Sequence, residues 1–388
     1  MNRSRVFARN LGTLCASAFL VCVGIAVPAA TASAGPPVLK VPQQYATIQS
    51  AIDAATGGAQ IVVAPGTYTE QLTINKSLSL LGAGASATII RAPQTLVPMP
   101  NVVLHPSLGM GDTASALVVI GNHADVKISG VSVTGPVPCG PVAGVWATRG
   151  ANLRLTDSAV TDIFADLACS NTWSVIFGGN PRVEFDGAPG TFATGEVRHT
   201  TVDTFANAGL LAIAPHGGPA TSVTFSDNTV RVGANTQNDG TAAVRVYFNA
   251  VARFTGNTVV GGYCTRADWC GPDFLDNVQT IAVDVAGLDG SVVADNHISG
   301  SDIGYVGQSP VKFTGNTITD NKYWGAVFVN VDQQTRNNEI SGNPVGILAA
   351  ALGADANVLS NGDEISDYTN SATQTLSCCG GVATIVVK

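Results

Sequence analysis

Phe254-Thr-Gly-Asn257-Thr-Val259 and Phe313-Thr-Gly-Asn316-Thr-Ile318 are copies of one phrase that recurs in this 388-residue chain. Four more segments share it: Phe225-Ser-Asp-Asn228-Thr-Val230, Val293-Ala-Asp-Asn296-His-Ile298, Thr335-Arg-Asn-Asn338-Glu-Ile340 and Leu359-Ser-Asn361. Counted from Asn to Asn, the steps are 29, 39, 20, 22 and 23 residues. A β-rich unit of about 20–23 residues with occasional insertions is typical of a solenoid.

Each phrase predicts a short strand, a turn at the Asn and a second strand. Asn tolerates the left-handed conformation of such a turn, and stacked Asn side chains can hydrogen-bond from coil to coil. We therefore expect the Asn residues to be structural. Weaker copies upstream place further markers at Val131, Ser158, Asn180 and Thr200. With the N-terminal strands, the count predicts an all-β solenoid of about 12 coils.

The N-terminal region predicts a cap for this solenoid, within residues 42–58. The stretch from Tyr45 to Ala55 has a helical pattern that places Ile48, Ala51, Ile52 and Ala55 on one face, and Thr47 is a suitable N-cap. A cap is expected because a solenoid end exposes unpaired strand edges and apolar interior. Residues 35–388 are then one β-helix domain, with loop insertions near 91–116 and 261–278.

Residues 1–34 predict a secretory signal peptide. Arg3, Arg5 and Arg9 precede an apolar stretch, and Ala32-Ser33-Ala34 is a small-residue cleavage site. An uncleaved membrane anchor is the alternative. Cleavage removes three Arg and no acid, so the net charge falls from −8 to −11. The sequence thus predicts a secreted, extracellular monomer without a membrane span, and disfavours nucleic acid as a partner.

Six cysteines remain after cleavage, an even number that indicates disulfides in an exported chain. We expect Cys264 to pair with Cys270, which closes a short loop, and Cys139 with Cys169, about one coil apart. Cys378 and Cys379 are adjacent, so they either bridge each other or pair elsewhere. The sequence has no CxxC pair that would favour a metal thiolate site instead.

The opening coils resemble those of pectinesterase-type right-handed parallel β-helices. The resemblance rests on Ile48-Gln-Ser-Ala-Ile52, Val63-Ala-Pro-Gly-Thr-Tyr-Thr-Glu70, Ile74-Asn-Lys-Ser-Leu-Ser-Leu-Leu-Gly82 and Thr88-Ile-Ile90. The later Asn coils are similar to the repeat of the pectin-lyase-like superfamily. The resemblance implies a right-handed parallel β-helix with a site in a groove along one sheet. The catalytic motifs of pectinesterases and polygalacturonases are not matched in this sequence.

The Asn markers also predict which residues face that groove. Strand alternation points Val244 and Val246 inward, and Ala243, Arg245 and Tyr247 outward. It likewise points Ala282 and Asp284 outward. The residues that lie 12 positions before successive markers include Trp146, His216, Arg245 and Asp284.

His216, Arg245 and Asp284 are therefore our candidate catalytic residues, because such a cluster can bind an acidic sugar and move a proton. Trp146 and Tyr247 are candidate substrate-binding residues. The alternative is that Arg245 and Asp284 form only an exposed ion pair.

The insertion at 261–278 precedes the Asp284 strand and is expected to overhang the groove. Asp268, Asp273 and Asp276 are candidate ligands for calcium, which prefers carboxylate and carbonyl oxygens. Trp269 is a candidate for stacking on a sugar ring. The alternative is a disulfide-pinned surface loop with scattered acids.

Three functions follow from these observations. The first is a lyase, hydrolase or esterase acting on an extracellular polysaccharide, with uronic-acid polymers as the expected substrates. The second is a non-catalytic β-helix that binds polysaccharide or cell-surface glycan, or serves as a scaffold. The third is a metallochaperone-like role, which the count of only three Met disfavours.

Overall fold

Short strands follow one another in a repeating order of three, and each strand pairs in parallel with the strand one coil further along. The computed structural model describes residues 35–99, 114–164, 170–179, 192–214, 219–233, 241–266 and 268–388. In this part of the chain, the strands form sheets of 13, 11 and 11 strands, here called sheets A, B and C. The chain is a right-handed parallel β-helix, as the Asn repeat and the resemblance predict.

Strands are numbered in chain order. Sheet A contains β1 (Val38–Val41), β2 (Ala59–Val63), β5 (Leu78–Leu81), β8 (Asp125–Ser129), β11 (Asn152–Thr156), β14 (Thr194–Arg198), β17 (Thr221–Ser226), β20 (Ala250–Thr255), β23 (Ser291–Ala294), β26 (Val311–Thr314), β29 (Asp332–Arg336), β32 (Ala356–Asn361) and β35 (Ala383–Val387). Sheet B contains β3 (Gly66–Thr69), β6 (Thr88–Arg91), β9 (Ser132–Thr134), β12 (Ala159–Ile163), β15 (Thr201–Phe205), β18 (Thr229–Arg231), β21 (Thr258–Val260), β24 (His297–Ser299), β27 (Thr317–Thr319), β30 (Glu339–Ser341) and β33 (Glu364–Ser366). Sheet C contains β4 (Leu72–Ile74), β7 (Ser115–Ile120), β10 (Gly140–Ala147), β13 (Ser170–Gly178), β16 (Ala208–Ala214), β19 (Ala242–Phe248), β22 (Ile281–Ala286), β25 (Ile303–Gly307), β28 (Trp324–Val329), β31 (Val345–Leu352) and β34 (Ser371–Cys378).

The turn from sheet A to sheet B carries the predicted ladder of buried Asn side chains. The Oδ1 atom of Asn257 accepts from both the backbone N–H and the side-chain amide of Asn228, each at 3.0 Å. The same pattern continues through Asn296, Asn316 and Asn338. Each coil thus satisfies buried polar groups of the coil before it, which makes the ladder an internal hydrogen-bond network.

Two details of this ladder differ from prediction. The left-handed conformation belongs to the residue before each Asn, as at Asp227 (φ 56°) and Gly256 (φ 68°), because the Asn side chain must point inward to bond its neighbour. The last member is Asp363, whose Oδ1 accepts from Asn338, and not Asn361, which ends β32.

A column of small residues lines the point where the chain enters sheet C. A Cβ on Gly325 would lie 2.6 Å from Ile340 Cγ2 and 2.7 Å from the carbonyl oxygen of Gly346. Ala243 and Ala282 occupy the same column and belong to the main hydrophobic core. The prediction that these two alanines face outward is therefore wrong. The pairing of β19 with β22 skips both residues, so the strand alternation is interrupted there, and both methyl groups are fully buried in the core.

The N-terminal cap is confirmed. Helix α1 (Ile48–Ala54) begins after Thr47, whose side chain accepts from the backbone N–H of Ser50. Ile48, Ala51 and Ile52 are buried against the first coils. Full burial of an isoleucine side chain stabilises the folded state by roughly 1.5–3 kcal/mol. In the described residues, no helix is long and apolar enough to cross a membrane.

Candidate functional site

The outer face of sheet C carries one continuous column of register partners. Along the sheet, this column runs through Thr73, Val119, Trp146, Ile176, Leu211, Arg245, Asp284, Val306, Val327, Leu348 and Gln374. Most of its members are apolar, and Arg245 and Asp284 are the charged pair in the middle. The prediction that these two residues are direct neighbours on successive coils is confirmed.

Two apolar clusters flank this charged pair on the outer face. The N-terminal outer cluster contains Met99, Ala114, Ala116, Ala143, Trp146, Trp173, Ile176, Ala208, Leu211 and Ile213. The C-terminal outer cluster contains Ile303, Val306, Trp324, Val327, Val329, Val345, Leu348 and Ala350. Both clusters are buried, so the outer face of sheet C is covered on both sides of the charged pair. The open groove that the sequence predicts is therefore limited to the surroundings of Arg245 and Asp284.

Four polar side chains meet at this point. The hydroxyl of Tyr247 donates to Oδ2 of Asp284 on the next strand. Nη1 of Arg245 donates to Oδ1 of Asn207 at 2.7 Å, and the Arg245 guanidinium lies 5.8 Å from the centre of the Tyr247 ring. Asp284 is 3% exposed, whereas Arg245 and Tyr247 are half-buried. The carboxylate therefore lies beneath the phenol and the guanidinium.

Burial dominates the electrostatics of Asp284. It raises the pKa of this carboxyl above its usual value, and the Arg245 charge, the Tyr247 hydrogen bond and the Gln308 side chain oppose the rise. Gln308 is near enough to act on the pKa, although Oδ1 of Asp284 accepts no hydrogen bond of ordinary geometry from the described residues. The pKa of Tyr247 is also raised, first by burial and then by the charge of Asp284, so the phenol stays protonated.

This geometry suits proton transfer. The hydrogen bond between the phenol and the buried carboxyl is a path along which a proton can pass between a bound molecule and Asp284. The neighbouring guanidinium can neutralise a carboxylate of that molecule.

Two other predicted members of the site have different outcomes. His216 lies outside the described residues, and the register partner of Arg245 on the preceding strand is Leu211. Trp146 stands in the column as predicted but is 2% exposed, and its indole N–H donates to the carbonyl oxygen of Gly178 at 2.9 Å. Because Trp146 is packed inside the N-terminal outer cluster, it is not available to stack on a substrate in this structure.

The loop at 261–278 lies against sheet C. Phe274 packs edge-on against Trp324 with ring centres 5.7 Å apart, at the C-terminal outer cluster. Oδ2 of the fully buried Asp302 accepts from the backbone N–H of Cys264 and of Thr280, each at 2.9 Å. The two hydrogen bonds fix both ends of the loop to the residue that precedes β25.

The predicted binding residues of this loop differ in their surroundings. Trp269 is 49% exposed, and the Arg266 guanidinium stacks 3.8 Å from the centre of its ring. Oδ1 of Asp273 accepts from the backbone N–H of Asp276, and Asp268 lies 3.9 Å from Arg266. Among the described residues, no three acidic, His or Cys side chains gather to hold a metal, so the structure does not bring the candidate calcium ligands together.

The disulfide predictions have mixed outcomes. Cys264 and Cys270 are bonded as predicted, and Cys378 bridges Cys379. Cys139 is disulfide-bonded. Cys169 lies outside the described residues, so its pairing with Cys139 stays a prediction.

Sequence reasoning missed Asn207 and Gln308. Asn207 lies just before β16, and its backbone carbonyl oxygen accepts from Ala242, the first residue of the Arg245 strand. Gln308 follows Gly307, the register partner of Val285. Both side chains act on the site from the ends of neighbouring strands, where the strand alternation used in prediction no longer applies.

Comparison with known proteins gives similarity at the level of fold. No protein-family model matches the chain, and no curated protein matches it. An alginate lyase from Paenibacillus is 15% identical, with 87% of this chain and 96% of that chain covered and a TM-score of 0.45. The mannuronan C-5 epimerase AlgE4 A-module from Azotobacter vinelandii is 14% identical, with 91% and 97% covered and a TM-score of 0.38. Pectin methylesterase PemA from Erwinia chrysanthemi is 14% identical, with 67% and 80% covered and a TM-score of 0.36.

Proposed function

We propose that this chain is an exported enzyme that cleaves an acidic polysaccharide by abstracting a proton from it. Tyr247 and Asp284 transfer the proton, and Arg245 binds the sugar carboxylate. One observation carries the proposal. The Tyr247 hydroxyl is hydrogen-bonded to a buried carboxyl of raised pKa, beside a half-buried guanidinium, at the polar break in an otherwise apolar sheet face.

The composition of the site favours elimination over hydrolysis. Glycoside hydrolases generally need two carboxyl groups, an acid and a nucleophile or base. Within the part of the chain that the structure describes, the groups that act on the pKa of Asp284 besides burial are Arg245, Tyr247 and Gln308, and none of these three is a carboxylate. A base and a carboxylate-neutralising cation are the groups that β-elimination from a uronic acid requires.

The proposed step balances as follows. The proton on the carbon next to the sugar carboxylate passes to the Tyr247 oxygen, while the phenol proton moves to Asp284. The electrons of the broken C–H bond form a carbon–carbon double bond, and the glycosidic C–O bond breaks. The departing oxygen takes a proton from water, and the hydroxide left behind takes the proton from Asp284, which returns the site to its starting state. Arg245 binds the sugar carboxylate and stabilises the charge that develops on it.

A substrate screen tests the proposal. Purified protein is incubated with alginate, polygalacturonate and their methyl esters, and the ultraviolet absorbance of unsaturated ends is followed beside reducing ends. We expect both signals to rise together on one acidic polymer, and Arg245→Ala to abolish them. Arg253→Ala is the matched control, because Arg253 is exposed on sheet A in the same coil.

Other results would replace this function. Reducing ends without unsaturated product would indicate hydrolysis and contradict the elimination. Polymer binding without turnover would identify a glycan-binding module. If Arg245→Ala then bound the polymer as tightly as the natural protein, Arg245 would take no part in binding.

A further inference from the structure

Strand β35 is the last strand of sheet A, and none of the described strands pairs with its outer edge. Val382 and Lys388, which flank this strand, bond to β32 through backbone groups that point to the inner edge. Alternate residues of a strand direct their backbone groups to opposite edges, so those of Ile385 and Val387 point to the outer edge. An edge with unpaired N–H and C=O groups can pair with a strand of another molecule.

The last coil also exposes apolar surface. Val386 and Val387 are 50% and 55% exposed. Ile365 and Ile385 pack against the main hydrophobic core but are only partly buried, because no described coil lies beyond them. An unpaired strand edge and an exposed interior at the end of a solenoid favour a cover.

The other end of sheet A is closed. The backbone N–H of Lys40 in β1 donates to Oε1 of Gln44 at 2.9 Å. The carbonyl oxygen of Lys40 accepts from the backbone N–H of Gln44 at 2.9 Å and of Tyr45 at 3.2 Å. Because both backbone groups of Lys40 are occupied, β1 of a second copy is a poor partner for β35, and a head-to-tail filament is not favoured.

We propose that two copies of this chain form a dimer in which their β35 strands pair in antiparallel orientation about a twofold axis at Ile385. The N–H and C=O groups of Ile385 then bond to those of the partner's Ile385. The N–H of Ala383 already donates to Oγ of Ser377 at 3.0 Å, so its carbonyl oxygen is left to accept from the N–H of the partner's Val387. Because the axis is perpendicular to sheet A, it lays the interior of one last coil over that of the other, which buries apolar surface.

Opposite charges meet in this arrangement. The register places Lys388 opposite the partner's Val382. The N–H of Val382 donates to Oδ1 of Asp355 at 2.9 Å, so the Lys388 ammonium comes within reach of the partner's Asp355, and the axis repeats this pair. The axis also lays β33, which contains Glu364, over the partner's β34, whose sequence contains no charged residue. This self-complementarity favours a second copy of the chain as the occupant of the edge.

Analytical ultracentrifugation of the purified protein from about 1 to about 100 µM tests the proposal. The sequence predicts a monomer, whereas the proposal predicts a monomer–dimer equilibrium without larger species. Val387→Pro removes a donor from the outer edge of β35 and should weaken the dimer about tenfold or more. Val38→Pro is the matched control, because it places a proline on β1 at the opposite end of the same sheet, and it should leave the dimer unchanged.

A charge exchange tests the register. Lys388→Glu places a carboxylate opposite the partner's Asp355 and should weaken the dimer about tenfold, because an attraction becomes a repulsion at both ends of the strand pair. Adding Asp355→Lys to the same chain should restore the dimer.

A cross-link tests the axis without relying on a weakened variant. In the proposed register, the Cα atoms of the two Ile385 residues lie about 5.5 Å apart, within the range that a disulfide spans. Ile385→Cys should therefore give a disulfide-linked dimer under oxidation, whereas Leu288→Cys, an exposed position between β22 and β23, should not.

A protein that is monomeric at about 100 µM would overturn the proposal. So would an unchanged dimer in Val387→Pro, charge exchange that does not restore the dimer, equal cross-linking of the two Cys variants, or oligomers that grow beyond the dimer with concentration. None of these outcomes depends on turnover at Asp284.

Discussion

Tyr247 and Asp284 lie on neighbouring coils, and the phenol hydroxyl donates to the buried carboxylate. Burying an ionised carboxylate without partners costs several kcal/mol, so this hydrogen bond and the nearby Arg245 charge make the position tolerable. Burial outweighs both of these partners and leaves the pKa of Asp284 above its usual value. A destabilised acid in an apolar sheet face is more typical of a reactive site than of packing.

Comparison with Asp284→Asn should show the raised pKa of Asp284 as a pH dependence of the free energy of unfolding. Because folding raises the pKa of Asp284, its contribution to stability is complete below its usual value near 3.8 and is lost as pH rises through the folded value. As pH rises from about 3 to 7, the natural protein should therefore lose free energy of unfolding relative to Asp284→Asn. Urea denaturation at each pH measures this difference.

The control for this experiment is Asp289→Asn, an exposed position in the turn between β22 and β23. A difference between natural protein and Asp284→Asn that rises with pH would show that the pKa of Asp284 is lowered, not raised.

Tyr247→Phe should lower the free energy of unfolding by about 1–3 kcal/mol, because it leaves the buried carboxylate without its hydroxyl donor. Tyr263→Phe is the matched control. The Tyr263 hydroxyl donates to the carbonyl oxygen of Asp320 at an exposed position, so its loss should cost less than about 0.5 kcal/mol. Equal effects of the two variants would show that the Tyr247 bond has no special strength.

Asn316→Ala tests the ladder. Oδ1 of Asn316 accepts from both the backbone N–H and the side-chain amide of Asn296, and truncation leaves these buried donors unsatisfied. We expect a loss of about 1–3 kcal/mol for each donor in chemical denaturation. Asn357→Ala, which removes only exposed hydrogen bonds to Asp332 and Thr384, should be nearly neutral. A neutral Asn316→Ala would mean that the ladder marks the turns without stabilising them.

Gly325→Ala should destabilise the protein by about 1–3 kcal/mol, because the added methyl group meets Ile340 and the backbone of Gly346. Gly57→Ala is the control, since an added Cβ there meets nothing within 4 Å. Thermal unfolding measures both. If Gly325→Ala is as stable as Gly57→Ala, the coil accommodates a methyl group at this position, as it holds those of Ala243 and Ala282.

The sequence predicts the fold well because the Asn phrase encodes the hydrogen bonds that join successive coils. It predicts the column less well. The 12-residue offset is correct at Val119, Trp146, Arg245 and Asp284, where the connection from sheet C back to the ladder has one length. Leu211 precedes its marker by 17 residues, so the fixed offset selected His216 instead.

The burial of Trp146 could not be read from alternation. Alternation predicts the face of the sheet from which a side chain projects, and Trp146 does project from the outer face. Whether that face is exposed depends on what packs over it. The N-terminal outer cluster includes Met99, which lies outside the repeat, so alternation alone could not predict this packing. Nor did the repeat predict that Phe274 of the loop would pack beside Trp324.

The central claim is that the Tyr247–Asp284 pair transfers a proton during polysaccharide cleavage. The most direct measurement is kcat for unsaturated product on the acidic polymer that the natural protein cleaves, compared among the natural protein, Asp284→Asn and Asp289→Asn. The account predicts turnover by the natural protein, a loss of about 100-fold or more in Asp284→Asn, and no change in Asp289→Asn. Turnover that survives in a folded Asp284→Asn, or a natural protein that produces no unsaturated product from any acidic polymer, would contradict it.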